Sequence, residues 1–213
     1  MVTVVISINK HPATTSSADT HETVDSNNQT FTVHKDYICL VSPFFAAAFT
    51  GEFIEGKSQS MHLDDVNPAA FGLLVHWIYY QKFALPTVET KEGKSSADYE
   101  KLAQLWILGQ RTIMPALQNY VVDVIFGSLS QQDLWDGSNF GSLMELAGEN
   151  DPQSPLSRMA INAMVYSCTL FFDVQVSSAP PSLSMSIMRG LKLNHSEQKK
   201  WDEGIGEKSS YHV

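Results

Sequence analysis

The chain has 213 residues, 43% of them hydrophobic and 17% charged, with a formal net charge of -9. That length and composition support a buried core and exclude a chain that is disordered throughout. The acidic balance argues against nucleic acid as a partner, because phosphate binding needs clustered Lys and Arg, and the one basic pair, Lys199-Lys200, has Asp202 and Glu203 beside it.

Residues 2–8 are rich in β-branched side chains and predict a strand. Residues 9–28 are polar and contain Pro12, so they predict a long loop. Residues 29–33 predict a second strand, with Phe31 and Val33 on one face and Thr30 and Thr32 on the other. The two strands are expected to pair as an irregular hairpin. Two short helices follow over 35–50. Tyr37, Ile38 and Val41 mark the first, and Phe44, Phe45, Ala48 and Phe49 line the buried face of the second. Ser42 and Pro43 are cap and first-turn signals, and Gly51 lies just past the helix end.

A third strand is predicted over 60–63. Asn67-Pro68 then starts a helix over 68–80, in which Phe71, Leu74, Val75 and Ile78 repeat at i, i+3, i+4 and i+7. Leu73 and Trp77 widen that stripe. Residues 84–96 read as a surface loop. A helix over 97–109 buries Tyr99, Leu102, Ala103 and Trp106, and a second begins at Pro115 and ends at Gly127, so the two form a helical hairpin. Beyond it, 142–147 and 156–172 look helical, 177–186 is a Ser/Pro-rich linker, and the tail from 189 is polar.

Catalytic motifs are absent: there is no phosphate-binding glycine loop, CxxC, HExxH or GxSxG. The histidines show no ligand spacing, so neither a metal nor a cofactor is expected. Cys39 and Cys168 lie in apolar runs and read as buried free thiols of a reducing compartment. Asp64-Asp65 reads as favourable company for a helix N-terminus. Trp77, Tyr79 and Tyr80 belong to a packed helix rather than a base-stacking platform. With no leader and no run of 18 to 20 apolar residues, the expectation is an intracellular protein, in cytoplasm or nucleus, that is not an enzyme and has no membrane contact.

Three motifs together, FTVHK at 31–35, SPFF at 42–45 and AFTGEF at 48–53, resemble the signature of the BTB/POZ domain. The later order agrees: a strand at 60–63, the helix PAAFGLLVHWIYYQKF, and the hairpin LAQLWILGQRTIMPALQNYVVDVI. Gln81 stands where the family has a Gly after that first helix. The style of the hairpin and the helices after it is most similar to the fungal members. The resemblance implies an α+β, mostly α fold, with a small sheet flanked by a helical cluster. It divides the chain into a BTB/POZ domain over 1–127, a helical extension over 128–176, and a linker and polar tail over 177–213.

The family's activity is protein–protein interaction, often as a homodimer and often as an adaptor that docks substrates on a cullin-3 ubiquitin ligase. The alternative within the family is a stand-alone oligomerisation module in transcription or scaffolding. Some members carry a φ-x-E motif after the second short helix, and Phe53-Ile54-Glu55 falls at that place. No kelch repeat, MATH domain or zinc finger follows. The chain opens directly on its first strand, without the N-terminal helix that many members use to dimerise.

Overall fold

The computed structural model describes residues 1–7, 28–90, 93–129, 137–167, 183 and 208–213. The chain forms two compact units, Met1–Gln81 and Lys82–Val213.

The first unit is built on a three-stranded sheet of order β2-β1-β3, with β1 at Val2–Ser7, β2 at Gln29–Val33 and β3 at Ser60–Asp64. Strand β1 pairs antiparallel with β2, placing Val4 opposite Phe31, and parallel with β3, placing Val4 beside Met61 and Ile6 beside Leu63. Val2, Val4, Ile6, Met61 and Leu63 are all buried, so the period-two alternation of β1 and β3 makes one continuous apolar face. A parallel pair cannot be joined by a tight turn. The crossover here contains β2 and three short helices: α1 (Lys35–Val41), α2 (Pro43–Thr50) and α3 (Ile54–Ser58).

Helix α2 begins as its sequence dictates. Ser42 caps it by accepting from the Phe45 amide at 3.2 Å, and Pro43 occupies the first turn, where no N–H is needed. Phe45 and Phe49, one turn apart, are buried and stacked with ring centroids 6.0 Å apart. Helix α4 (Pro68–Tyr80) starts the same way, with Asn67 Oδ1 accepting from the Ala69 amide at 2.8 Å. It buries Ala70, Phe71, Leu74, Trp77 and Ile78, and Phe71 packs against Phe31 at 4.9 Å. Gln81 ends the helix in the left-handed region at φ 54°, the conformation in which a Gly is most at ease.

Two sequence expectations change in this unit. Tyr37, placed on the apolar side of α1, is 51% exposed; only Ile38 of that helix is buried. A seven-residue helix has room for one buried turn, and Tyr37 turns instead to the rings of His34 and Tyr79. Cys39 is only half-buried, and its Sγ–H donates to Phe45 O at 3.7 Å. Burial still pushes its thiol pKa up, against the lowering influence of Lys35 and with a smaller upward push from Asp36. Cys168 lies outside the described residues.

The second unit begins with a hairpin where a surface loop is expected: β4 (Thr87–Glu89) pairs antiparallel with β5 (Ser95–Ala97). Strands of three mostly polar residues carry no readable alternation, so only the pairing reveals them. Helix α5 (Tyr99–Arg111) and helix α6 (Pro115–Leu129) form the expected hairpin. Their approach is close: a Cβ on Gly109 would stand 3.0 Å from Gln118 Cγ. Helix α6 continues through Gly127, the residue expected to end it. Helix α7 (Gly137–Asn150) packs on α5, and α8 (Pro155–Ser167) packs on α7. Because α5 is covered by two neighbours, it also buries Leu105 and Leu108 beyond the predicted stripe. Tyr99 is fully buried edge-on to Phe140, at 5.4 Å, with its Oη 3.3 Å from Ser128 Oγ.

Apart from Leu183, which is buried, the predicted linker at 177–186 lies outside the described residues, as does most of the predicted tail. The last six residues, Lys208–Val213, are fixed on the helical unit and bury Tyr211.

Candidate protein-binding surface

Phe53, Ile54 and Glu55 form the start of α3, not a plain loop. Phe53 is the residue before its first turn, and its carbonyl accepts from the Lys57 amide at 3.2 Å. The two apolar side chains are 65% and 76% exposed, and Glu55 is half-buried beside them in the first turn, where a carboxylate suits the helix dipole. Two large apolar side chains, adjacent in sequence, thus stand in solvent on a held backbone.

Rigidity comes from residues that motif reading passes over. The Phe49 carbonyl lies in the last turn of α2, where it lacks an intrahelical partner. It accepts from Lys35 Nζ at 2.8 Å and from Gln59 Nε2 at 3.1 Å. Gln59 Nε2 also donates to the Gly56 carbonyl at 2.6 Å. One amide thus ties the end of α2 to α3, and one ammonium ties the end of α2 to the start of α1. Gln59 holds this position in the left-handed region, at φ 53°.

The backbone of α3 lies directly on the end of α2. A Cβ on Gly56 would stand 2.1 Å from the Gly51 carbonyl oxygen, and a Cβ on Gly51 would stand 2.6 Å from the Ala47 oxygen. Gly51 is therefore required by close approach; its φ of −77° is open to any residue. The sequence signal was available in the two glycines that bracket the motif, Gly51 and Gly56, but their spacing acquires meaning only when the two backbones meet.

A second exposed group lies on α1 and α4. His34, Tyr37 and Tyr79 meet edge-on, with ring centroids 5.5 to 5.7 Å apart. Tyr79 Oη accepts from the His34 backbone N–H at 3.0 Å and lies 2.7 Å from His34 Nδ1. Leu40 and Tyr80 are also exposed, at 81% and 62%. Tyr79 and Tyr80, expected as part of a packed helix, lie on the outer side of α4, away from its buried stripe of Phe71, Leu74, Trp77 and Ile78.

Elsewhere the described residues bring no three His, Cys, Asp or Glu side chains together in a metal-holding group. A cavity of about 570 Å³ in the helical unit is lined by Pro152, Gln153, Arg158, Ile161 and Asn162, which supply a guanidinium and amides but no acid–base pair. No helix among the described residues is long and apolar enough to cross a membrane.

Comparison with known proteins agrees with this architecture. Residues 14–106 match the model of the BTB/POZ domain. The chain is 44% identical to Kelch-like protein 30 of Homo sapiens over 46 residues, which are 22% of this chain and 8% of that protein. It is 37% identical to Kelch-like protein 40 of Xenopus tropicalis over 76 residues, 36% of this chain and 12% of that protein. The similarity thus spans about a tenth of the length of these relatives and falls on a protein–protein interaction module.

Proposed function

We propose that this BTB/POZ-domain protein is an adaptor that recruits a cullin-3 scaffold through Phe53, Ile54 and Glu55. One observation carries the reading: two exposed apolar side chains and a carboxylate stand on a single helical turn that Gly56 and Gln59 hold against α2. A rigid ledge of this kind loses little entropy on binding. Phe53 and Ile54 would enter an apolar groove, while Glu55 pairs with a donor at the rim. The Kelch-like names of the relatives support the same reading.

The test is a pull-down of the intact chain with the N-terminal domain of cullin-3. Phe53→Ala with Glu55→Ala is expected to weaken capture at least tenfold, which corresponds to about 1.4 kcal/mol. Capture by the double variant at the wild-type level removes these residues from the account.

A second reading, a stand-alone oligomerisation module, draws on the exposed aromatic group of Tyr37, Tyr79 and Tyr80. It predicts a homodimer or larger species by light scattering, lost in Tyr37→Ala with Tyr80→Ala. A monomer at high concentration that binds cullin-3 tightly counts against it.

A further inference from the structure

The segment Lys208–Val213 is read almost residue by residue by the helices it lies on. Helix α6 presents Asn119 and Asp123, four residues apart and so on one face. One carboxylate oxygen of Asp123 accepts from Lys208 Nζ at 3.1 Å, and the other lies 2.9 Å from His212 Nε2, which must carry a proton to face an acceptor. The Asn119 amide spans the main chain of Val213: Oδ1 accepts from its N–H at 2.8 Å, and Nδ2 donates to its carbonyl at 3.4 Å. From α8, Asn162 Nδ2 donates to Tyr211 Oη at 2.7 Å, and Tyr211 is only 3% exposed. Ser209 and Ser210 are exposed.

These contacts are those of a peptide in a groove. There is one buried aromatic anchor whose hydroxyl is satisfied, one carboxylate collecting an ammonium and an imidazole N–H, and one side-chain amide catching the backbone. The segment also completes a circuit. Helix α6 packs on α5, α5 on α7 and α7 on α8, and the segment touches both α8 and α6. Its ion pairs are open to water, with Lys208 and Asp123 side chains 54% and 31% exposed, so salt screens them. A single aromatic anchor plus screened charges describes a contact that holds and also releases.

We propose that Asn119, Asp123 and Asn162 form a peptide-reading site whose ligand is the chain's own Lys208–Val213 segment, and that this segment is a releasable clasp between α6 and α8. Release uncovers the seat of the Tyr211 side chain beside Asn162 and frees the Asn119–Asp123 face of α6. The chemistry selects a Lys, a Tyr and a His at the spacing of Lys208, Tyr211 and His212.

Two experiments test it. In the intact chain, Asp123→Ala with Asn162→Ala is expected to speed amide hydrogen exchange of 208–213 at least tenfold while α5 stays protected. Unchanged exchange in 208–213 overturns the proposal. Separately, a fluorescent Lys-Ser-Ser-Tyr-His-Val peptide is titrated into the chain lacking 208–213 and into the intact chain. Saturable binding to the shortened chain, at least tenfold weaker to the intact chain and to a peptide with Ala for Tyr, supports it. If the shortened chain loses helical circular dichroism, the added peptide must restore it. A shortened chain that is folded and does not bind, or is unfolded and is not restored, overturns the proposal.

Discussion

Gly56→Ala tests whether the candidate surface is held by backbone contact. The added Cβ would meet the Gly51 carbonyl oxygen at 2.1 Å, about 0.9 Å inside the 3.0 Å that real Cβ atoms essentially never breach. The obstacle is backbone, so no rotamer change relieves it. Either α3 lifts from α2 or the end of α2 unwinds, and both break the bond from Gln59 Nε2 to the Phe49 carbonyl. Overpacking of this kind costs about 1–3 kcal/mol, and the lost hydrogen bond adds roughly 1 kcal/mol. The helix preference of Ala over Gly returns at most about 1 kcal/mol. The net expectation is a loss of about 1–3 kcal/mol, read as a lower urea midpoint, together with weaker cullin-3 capture as Phe53 and Ile54 move.

Gly127→Ala is the matched control. Its Cβ would meet nothing within 4 Å, and the site is an exposed turn of α6, so the same substitution there is expected to be neutral or to stabilise by up to about 1 kcal/mol. A Gly56→Ala protein as stable as wild type, with undiminished capture, would refute the reasoning that the glycine is there for close approach.

Three further outcomes follow from burial and charge. Phe45→Ala removes a fully buried ring stacked on Phe49 and is expected to lower stability by about 3–5 kcal/mol in a denaturant melt; a shift under 1 kcal/mol would contradict its place in the core. Burial pushes the Tyr99 phenol up to about 12, partly offset by its contact with Ser128. The unfolded phenol ionises near its ordinary 10, so between pH 10 and 12 the unfolded chain binds fewer protons than the folded one. Stability is then full below pH 10 and falls by about 2–3 kcal/mol as pH rises through 12, and Tyr99→Phe is expected to flatten that part of the pH–stability curve. In a Cys168→Ser background, Cys39 is expected to react with a maleimide at pH 8 several-fold more slowly in the folded chain than in urea, because burial lowers its thiolate fraction; equal rates would contradict the burial.

The elements that strong local chemistry announces were legible in the chain. Ser42-Pro43 and Asn67-Pro68 start α2 and α4 where cap and ring geometry require, and the 3.6-residue stripe of α4 and the alternation of β1 come from side-chain period alone. The motifs at 31–35, 42–45 and 48–53, in that order, were enough to point to the BTB/POZ domain. Weak local signals failed: β4 and β5 are too short to alternate, and α3 has only five residues, with a Gly among them. The position of Phe53-Ile54-Glu55 could be read from its order in the chain, whereas its exposure and its support could not.

Those properties belong to the tertiary structure, because they depend on which distant groups meet. Sequence by itself determined that the chain has a core, which residues carry its helices, and where Phe53-Ile54-Glu55 falls among them. Only the folded chain placed β3 parallel to β1 and turned Tyr37 outward. It also laid Gly56 on the Gly51 carbonyl and brought Tyr211 back across α6 and α8. Periodicity and capping act over a few residues and leave a local trace; close backbone approach and a polar tail's return act over tens of residues and leave none until the surfaces come together.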